Sequence, residues 1–219
     1  MLLRSVICIL MSLQMSLAYA AGDYVDRPEV DSYIDSLVAD YDFSRQALEE
    51  IFLQAEKKDK IIELMSRPAE RRLQWHEYRK ILVDPPRVTL GVKFWQENAE
   101  TLARAEKVYG VDAAIIVAII GVETRYGRIT GSYRVVDALA TLGFDYPPRA
   151  KFFLSELTQF LLLAREEGKR PMSLKGSYAG AMGFGQFISS SYRNYAVDFD
   201  ADGIRDIWSN EVDAIGSVA

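Results

Sequence analysis

Cysteine and histidine are almost absent from this sequence of 219 residues. Cys8 is the only cysteine and His76 is the only histidine. Cys8 lies in a segment expected to be removed, so zinc sites that need two or more of these side chains are excluded. Catalysis by a Cys–His pair is excluded as well, because Cys8 lies in a segment expected to be removed. Catalysis by a Ser-His-Asp triad would have to use His76, which lies in "WHEYRK" without the second histidine of a zinc-protease motif. We expect His76 to be an exposed helical residue.

Long apolar runs are also scarce, and the N-terminal one has the features of a leader. Residues 1–20 contain one early basic side chain, Arg4, then a short apolar stretch and an Ala-x-Ala ending. This pattern is typical of a cleaved secretory signal peptide. Polar side chains interrupt the stretch, and it is shorter than the roughly 20 residues that a membrane span needs. Cys8 lies too early for a lipoprotein acylation site, so an exported, unanchored protein is predicted.

A basic surface is missing too. Beyond residue 20 the chain has 25 basic and 31 acidic side chains, a net charge of −6. Nucleic-acid-binding domains need a basic face, so the charge balance argues against generic binding of nucleic acid. The 199 remaining residues hold no cysteine, so their stability cannot depend on disulfides and must come from a sizeable hydrophobic core. A monomer is the expected state.

Helical periodicity dominates the rest of the chain. Apolar residues recur at helical spacing, and no segment alternates with a period of two, so any sheet is small. Ser44 and Asp112 are expected to be N-cap residues, and Gly110 and Gly168 to end helices. The predicted helices cover residues 30–38, 48–55, 89–110, 113–126 and 147–168.

One composition change and one proline pair suggest how the chain is organised. The segment "VDPPR" (83–87) is the candidate boundary between an N-terminal helical lobe, residues 21–87, and the remainder, residues 88–219. After Gly168, glycine and serine become dense, which indicates a loop-rich site.

A single carboxylate follows the most apolar stretch. Residues 113–122 contain no polar side chain, and Glu123 comes next. Isoleucines of the preceding turns share its face of the helix, so we expect Glu123 to be buried. Burial and the helix C-terminus both keep a carboxylic acid protonated near neutral pH, the form that a general acid needs. The alternative is a structural ion pair with Arg125 or Arg128.

The glycine-rich stretch "LKGSYAGAMGFGQF" (174–187) interleaves glycines with Ser177, Tyr178 and Gln186. Glycines allow tight turns and close approach of a ligand, while the hydroxyl, aromatic and amide groups can contact sugars. The spacing fits neither a dinucleotide-binding fingerprint nor a phosphate-binding loop. A flexible loop without function is the alternative interpretation.

The acidic stretch "DFDADGIRD" (198–206) has the spacing of an EF-hand calcium loop. Four carboxylates within nine residues repel one another, and a calcium ion would relieve this repulsion. The match fails at position 12, where Ser209 replaces the usual glutamate. A solvated acidic turn is the alternative. The candidate ligands at positions 1, 3, 5, 7 and 9 are Asp198, Asp200, Asp202, the carbonyl of Ile204, and Asp206.

Five sequence blocks, taken in order, resemble the membrane-bound lytic murein transglycosylase B family. They are "VAIIGVETRYGR", "DALATLGFDYPPRAKFF", "LKGSYAGAMGFGQF", "SSYRNYAVDFDADG" and "VDAIGSVA". The resemblance is close over residues 90–219 and looser before them. It implies a mainly α fold: a lysozyme-like catalytic core over residues 88–219, with a Gly-rich substrate loop and an EF-hand-like calcium loop, after the N-terminal lobe. It also implies a bacterial periplasmic enzyme whose partner is the glycan strand of peptidoglycan.

The resemblance gives roles to particular residues. Glu123 in "GVETRYG" matches the family's single catalytic acid/base, and Ser177 and Gln186 match residues that contact the sugar chain. Arg149 in "YPPRA" matches a basic substrate contact, and Tyr78 in "HEYRK" an aromatic wall of the cleft. The implied reaction joins the C6 hydroxyl of N-acetylmuramic acid to its own C1, leaves a 1,6-anhydro sugar, and needs no water or second carboxylate.

The resemblance also completes the calcium loop. It supplies a later carboxylate, Asp213, in place of the missing glutamate, with Glu211 as a rival ligand. The ion that it implies is structural, and no organic cofactor is implied.

Two alternatives stay open at this point. The first is a hydrolytic muramidase in which Asp137 or Asp145 orients a water molecule. The second is a non-catalytic, calcium-stabilised protein that binds peptidoglycan. It is considered because family members continue past "VDAIGSVA" with further helices, whereas this sequence ends at Ala219, so a core short at its C-terminus is expected.

Overall fold

The computed structural model describes residues 22–67 and 74–219, and the predicted signal peptide, residues 1–20, lies outside them. The described chain is mostly helical, as predicted. Two short strands, β1 (Tyr133–Arg134) and β2 (Lys175–Gly176), pair antiparallel. The α-helices are α1 (Pro28–Tyr41), α2 (Arg45–Phe52), α3 (Asp59–Ser66), α4 (Trp75–Leu82), α5 (Pro85–Glu97), α6 (Ala99–Tyr109), α7 (Ala113–Thr124), α8 (Val135–Phe144), α9 (Ala150–Glu166), α10 (Ser189–Tyr195) and α11 (Glu211–Val218).

Three predicted helix ends are confirmed by their hydrogen bonds. The Ser44 hydroxyl accepts from the Ala47 N–H at the start of α2, and the Asp112 carboxylate accepts from the Ala114 N–H at the start of α7, at 2.7 Å. Gly110 ends α6 in the left-handed conformation, with φ of 74°. These caps satisfy backbone groups that a helix end leaves without a partner.

The single helix predicted over residues 89–110 is wrong, because it is broken at Asn98 into α5 and α6. The Asn98 amide donates to the Phe94 carbonyl and, at 2.7 Å, to the Glu211 carboxylate of α11. An asparagine side chain that bonds to its own helix competes with the backbone ladder. Helical periodicity continues across this break, so the apolar pattern did not reveal it.

The buried side chains form two clusters. The large core joins α1, α2 and α3 to α8, α9 and α10 through residues such as Leu48, Phe52, Leu139 and Phe160. The small core joins α5, α6, α7 and α11 around Ile116. The large core therefore draws residues from both sides of position 87, and the division of the chain there stays a prediction.

Polar side chains on α8 bind the N-terminal helices to the rest. The Asp137 carboxylate accepts from the Glu56 N–H at 3.0 Å and from Arg134 at 2.7 Å. The Thr141 hydroxyl accepts from the Lys58 N–H at 3.0 Å and from the hydroxyl of Tyr24. Both α8 side chains are buried, so these bonds satisfy polar groups that water does not reach.

Among residues 22–67 and 74–219, no helix combines the length and the apolar character needed to cross a lipid bilayer.

Candidate active site

Glu123 lies in the last turn of α7, and it is exposed to solvent. The prediction that it is buried is wrong. Helix α7 buries the side that contains Ile116 and Ile120, while Ile119 and Val122, beside Glu123, are 39% and 44% exposed. Apolar residues surround this helix on all sides, so its sequence pattern could not identify the buried face.

The alternative ion pairs for Glu123 do not form. Arg125 instead binds Asp84, with 2.8 Å between its guanidinium nitrogen and the carboxylate oxygen. Arg128 is exposed, and within the described part of the chain Glu123 takes part in no ion pair. Glu123 is therefore held by its helix alone and is open to an incoming ligand.

The glycine-rich stretch packs against the turn that follows Glu123. The Thr124 hydroxyl donates to the Phe184 carbonyl at 2.9 Å and accepts from the Gly127 N–H at 3.0 Å. From the other side, the Gln186 amide donates to the Thr130 carbonyl at 3.2 Å. The two predicted features, the carboxylate and the glycine-rich stretch, therefore meet in one place.

Hydrogen bonds order the glycine-rich stretch, which is not a loose loop. The Ser177 hydroxyl accepts from the N–H groups of Ala179 and Ala181, at 3.2 and 3.1 Å. Gly131 has a φ of 99°, and a Cβ atom there would lie 2.0 Å from the Gly176 carbonyl oxygen. Only glycine allows this approach of the two backbones. Ser177 and Gln186 thus hold the glycine-rich stretch in place, and their roles as sugar contacts stay predictions.

Arg149 and Tyr78 belong to other elements than Glu123 and the glycine-rich stretch. Arg149 stands in a short 3₁₀ turn, with its guanidinium carbon 4.5 Å from the ring centroid of Phe152. Tyr78 is on α4, which also contains the exposed His76 and buries no side chain. Within the described residues, no hydrogen bond or ring contact joins either of the two to Glu123, so their substrate roles stay predictions.

A groove of about 490 Å³ runs beside the Glu123 helix. Ile119 of α7, Phe187 and residues 216–219 contribute to its lining, whereas Glu123 does not. Aromatic rings are the usual partners of the apolar faces of sugars in ligand sites. Sequence reasoning missed the aromatic lining, because Tyr109, Phe187 and Tyr195 come from separate elements that no motif links.

The carboxylates considered for a hydrolytic mechanism are already engaged. Asp137 is buried and binds Arg134 and the Glu56 N–H. Asp145 pairs with Arg27 at 3.2 Å, on the face that holds the N-terminal helices. Neither is available to orient water next to Glu123.

The acidic stretch forms a compact group of three carboxylates. Oxygens of Asp198, Asp200 and Asp202 lie within 4.8 Å of one another. The Asp198 carboxylate accepts from the N–H groups of Asp202 and Gly203, at 3.1 and 2.7 Å, which curls the loop around it. A hydrogen bond from Asn210 lowers the pKa of Asp200, so its ionised form is favoured. Clustered carboxylate oxygens are the ligands that calcium prefers.

The other candidate ligands have protein partners. Asp213 is fully buried, and it accepts from the N–H groups of Phe199 and Asp206, at 2.7 and 2.8 Å. Burial raises its pKa. Glu211 binds the amide of Asn98. Three of the predicted ligands, Asp198, Asp200 and Asp202, therefore lie together. Asp213 instead joins both ends of the loop to α11 through its two hydrogen bonds.

Comparison with known proteins identifies the family. The sequence profile of the transglycosylase SLT domain matches residues 26–219, most of the chain. The chain belongs to the transglycosylase SLT domain family. The resemblance to lytic murein transglycosylases is thereby confirmed, and so is the mainly α, lysozyme-like class of fold.

Relatives match this SLT-domain chain along most of its length. Membrane-bound lytic murein transglycosylase B of Escherichia coli (strain K12) is 47% identical over 215 residues, 94% of this chain and 59% of that protein. The crystal structure of soluble lytic transglycosylase SltB1 from Pseudomonas aeruginosa is 59% identical, with a TM-score of 0.86 over 87% of this chain and 64% of that one.

A second solved structure, E. coli lytic transglycosylase Slt35 in complex with calcium, is 49% identical, with a TM-score of 0.85. The match covers 94% of this chain and 65% of that one. The SLT-domain chain thus spans 59% of the length of the curated relative that it matches.

Proposed function

We propose that this chain is a lytic transglycosylase that cleaves the bond between N-acetylmuramic acid and N-acetylglucosamine in peptidoglycan. The observation that carries the proposal is the exposed Glu123 at the end of α7, next to Thr124, which bonds to the ordered glycine-rich stretch. The names of the relatives support the same activity. Because Asp137 and Asp145 are engaged elsewhere, a reaction that needs one carboxyl group is favoured over one that needs two.

In the proposed reaction, Glu123 first donates its proton to the glycosidic oxygen, and the bond from that oxygen to C1 of muramic acid breaks. The Glu123 carboxylate then accepts the proton of the C6 hydroxyl, whose oxygen bonds to C1. One bond breaks, one forms, and the carboxylic acid is restored. A bound strand would also exclude water from Glu123, which the free chain leaves exposed.

We assign the sugar contacts to the surface around this carboxyl group. Ser177 and Gln186 offer polar groups, and the groove beside Ile119 offers aromatic walls. Arg149, with its positive charge on an exposed turn, would bind an acidic part of the substrate, and Tyr78 would form an outer wall. This arrangement favours a long, alternately polar and apolar ligand, as a glycan strand is.

We propose a structural calcium ion in the acidic loop. Asp198, Asp200 and Asp202 would hold it with the carbonyl of Ile204, and Asp213 would complete the set. The supporting observations are the three gathered carboxylates and the relative that was solved with calcium. Such an ion would relieve repulsion within the loop and brace α11; it has no part in the proposed chemistry.

The proposed location is the bacterial periplasm, reached through cleavage of the signal peptide over residues 1–20. The relative that is membrane-bound supports an envelope location. The glycan strand is the proposed partner, and the proposed state is a monomer.

The experiment is digestion of purified peptidoglycan by the chain and by Glu123→Gln, with the released fragments weighed by mass spectrometry. We expect fragments one water lighter than hydrolysis products, and a loss of about 10²- to 10⁴-fold in Glu123→Gln. Glu106→Gln is the matched control, because it makes the same change at an exposed helical position of α6.

Other results would contradict the proposed function or the proposed role of Glu123. Fragments with ordinary reducing ends would make the chain a muramidase. Binding of peptidoglycan without any release, by a folded chain, would make it a binding protein. Equal activity of wild type and Glu123→Gln would remove Glu123 from the mechanism.

A further inference from the structure

The turn that follows Glu123 has an unfavourable backbone conformation. Arg125, Tyr126 and Gly127 have φ angles of 50°, 61° and 77°, all in the left-handed region. Glycine adopts this region freely, but Arg125 and Tyr126 do so only when surrounding contacts hold them there. The neighbours of these two side chains therefore determine how α7 ends.

The Tyr126 ring lies between α5 and α7, where each helix has a glycine facing its hydroxyl group. A Cβ atom on Gly91 of α5 would lie 2.3 Å from the Tyr126 hydroxyl oxygen, and one on Gly121 of α7 would lie 2.4 Å from it. The ring also packs on Phe94, with 5.3 Å between centroids. We call Gly91 and Gly121 the glycine notch. The phenol fills the space that two side chains would otherwise occupy.

Helix α5 also holds Arg125. Asp84, which caps the start of α5 through the Arg87 N–H, binds the Arg125 guanidinium at 2.8 Å. The N–H groups of Arg125 and Tyr126 donate back to the Gly121 and Ile120 carbonyls, at 3.2 and 3.3 Å. One helix therefore grips both left-handed residues, and their backbone closes the turn that contains Glu123.

We propose that Tyr126, seated in the glycine notch, is a positioning residue that fixes the end of α7 and so the direction of the Glu123 carboxyl group. Its effect passes through Glu123, because the ring itself lies between two helices. The inference rests on the proposed role of Glu123. A displacement of about 1 Å at a reacting group can reduce a rate by 10²-fold, so the seating of this ring matters for turnover.

Gly91→Ala tests the proposal by displacing the Tyr126 ring without changing any residue of the turn itself. Alanine favours a helix more than glycine, and residue 91 lies inside α5, so the helix itself is strengthened. The new methyl group overlaps the Tyr126 hydroxyl and must push the ring out. On a soluble glycan of alternating N-acetylglucosamine and N-acetylmuramic acid, we expect kcat to fall about 10- to 100-fold, with KM changed less than about 2-fold.

Tyr126→Phe in the Gly91→Ala background supplies the rescue. It removes the overlapping oxygen and leaves the ring carbon Cζ 3.0 Å from the added Cβ, a distance that small shifts can relieve. We expect kcat to recover to within about 3-fold of Tyr126→Phe alone. Thermal unfolding of each variant separates the proposal from a loss of stability, because kcat is measured at a temperature at which every variant is folded.

Gly143→Ala is the matched control, since residue 143 lies in α8 and its new Cβ would meet a flexible Leu154 side chain 2.8 Å away. It should leave kcat unchanged. Hydrogen exchange of the amides in 120–127 should accelerate in Gly91→Ala and not in Gly143→Ala.

Three results would overturn the proposal: full kcat in Gly91→Ala, no rescue by Tyr126→Phe, or an equal loss in Gly143→Ala. A wild-type chain that releases no anhydro product would overturn the proposed function, and this inference with it. Wild-type activity is measured first, so the two failures are distinguishable.

Discussion

Helices α7 and α8 are both built almost entirely from apolar residues, but their surroundings differ. Helix α8 buries every residue from Val135 to Gly143, and its polar side chains, Asp137 and Thr141, have hydrogen-bond partners. Helix α7 buries one side only, and its one charged side chain, Glu123, is exposed. The same composition thus supports the fold in α8 and leaves a carboxyl group exposed in α7.

One side of α7 exposes apolar side chains to solvent. Ile119 and Val122 form an exposed apolar surface next to Glu123, and in the proposed function a glycan strand covers that surface when it binds. The apolar side chains of α8 contribute to folding stability, whereas those on the outer side of α7 contribute little to it. Four predictions test this difference, beginning with the largest expected effect.

Truncation of an apolar side chain should change the free energy of unfolding far more in α8 than in α7. Leu139→Ala on α8 removes a side chain that is 1% exposed, and we expect the free energy of unfolding to fall by about 4 kcal/mol. Ile119→Ala on α7 should reduce it by less than about 1 kcal/mol. Urea unfolding of both variants measures the contrast, and equal losses would contradict it.

Removal of the charged group should show the same contrast. Asp137→Ala leaves the Glu56 N–H and Arg134 without their buried partner, and we expect a loss of about 3 kcal/mol. Glu123→Gln should change the free energy of unfolding by less than about 0.5 kcal/mol, because that side chain is exposed. Thermal unfolding checks both, and a destabilised Glu123→Gln would show that Glu123 has an unrecognised structural contact.

Calcium should stabilise the fold through the acidic loop and the small core, which contains α7. The acidic loop is tied through Asp213 to α11, which packs on α7 in the small core. Calcium at 100 times its dissociation constant should add about 2.7 kcal/mol to the free energy of unfolding. Calorimetry with and without a chelator measures this; Asp200→Asn should reduce the response, and Glu106→Gln should leave it intact.

A lower pH should slightly reduce the free energy of unfolding through an ion pair beside the large core, which contains α8. A hydrogen bond from Arg193 on α10 lowers the pKa of Glu166 on α9, and both helices pack in the large core. A lowered pKa in the folded state means that this stabilisation is present above the ordinary value of 4.5 and is lost as the pH falls through the folded pKa.

The expected size is under about 1 kcal/mol, because the carboxylate is 36% exposed and solvent screens it. Unfolding measured between pH 5 and pH 3 should depend less on pH in Glu166→Gln than in the wild type. Arg193→Gln, which removes the partner, should have the same effect, and an unchanged slope in both would contradict the assignment.

The local parts of the fold were predictable because short-range chemistry decides them. Ser44, Asp112 and Gly110 act within one helical turn, so residue type and position are sufficient. The spacing of Asp198, Asp200 and Asp202 likewise brings their oxygens together within one loop. The family was recognisable from five ordered blocks, each of which would be weak alone.

The rest depended on contacts between distant residues. Apolar side chains surround α7 completely, so only its packing against α5, α6 and α11 decides that Glu123 is exposed. The break at Asn98 depends on Glu211, which lies 113 residues further along the chain. The aromatic groove is assembled in the same way, from Tyr109, Phe187 and Tyr195.

The hydrogen bonds on α8 also set an order of events during synthesis. The Glu56 N–H and its partner Asp137 are 81 residues apart, and Tyr24 and Thr141 are 117 apart. The ribosome makes the N-terminal helices first, but their apolar faces find their main packing partner only when α8 has emerged. Pairings of such long range form slowly and leave a chain open to aggregation in the meantime. We therefore expect the nascent N-terminal helices to expose their apolar faces until α8 has been made.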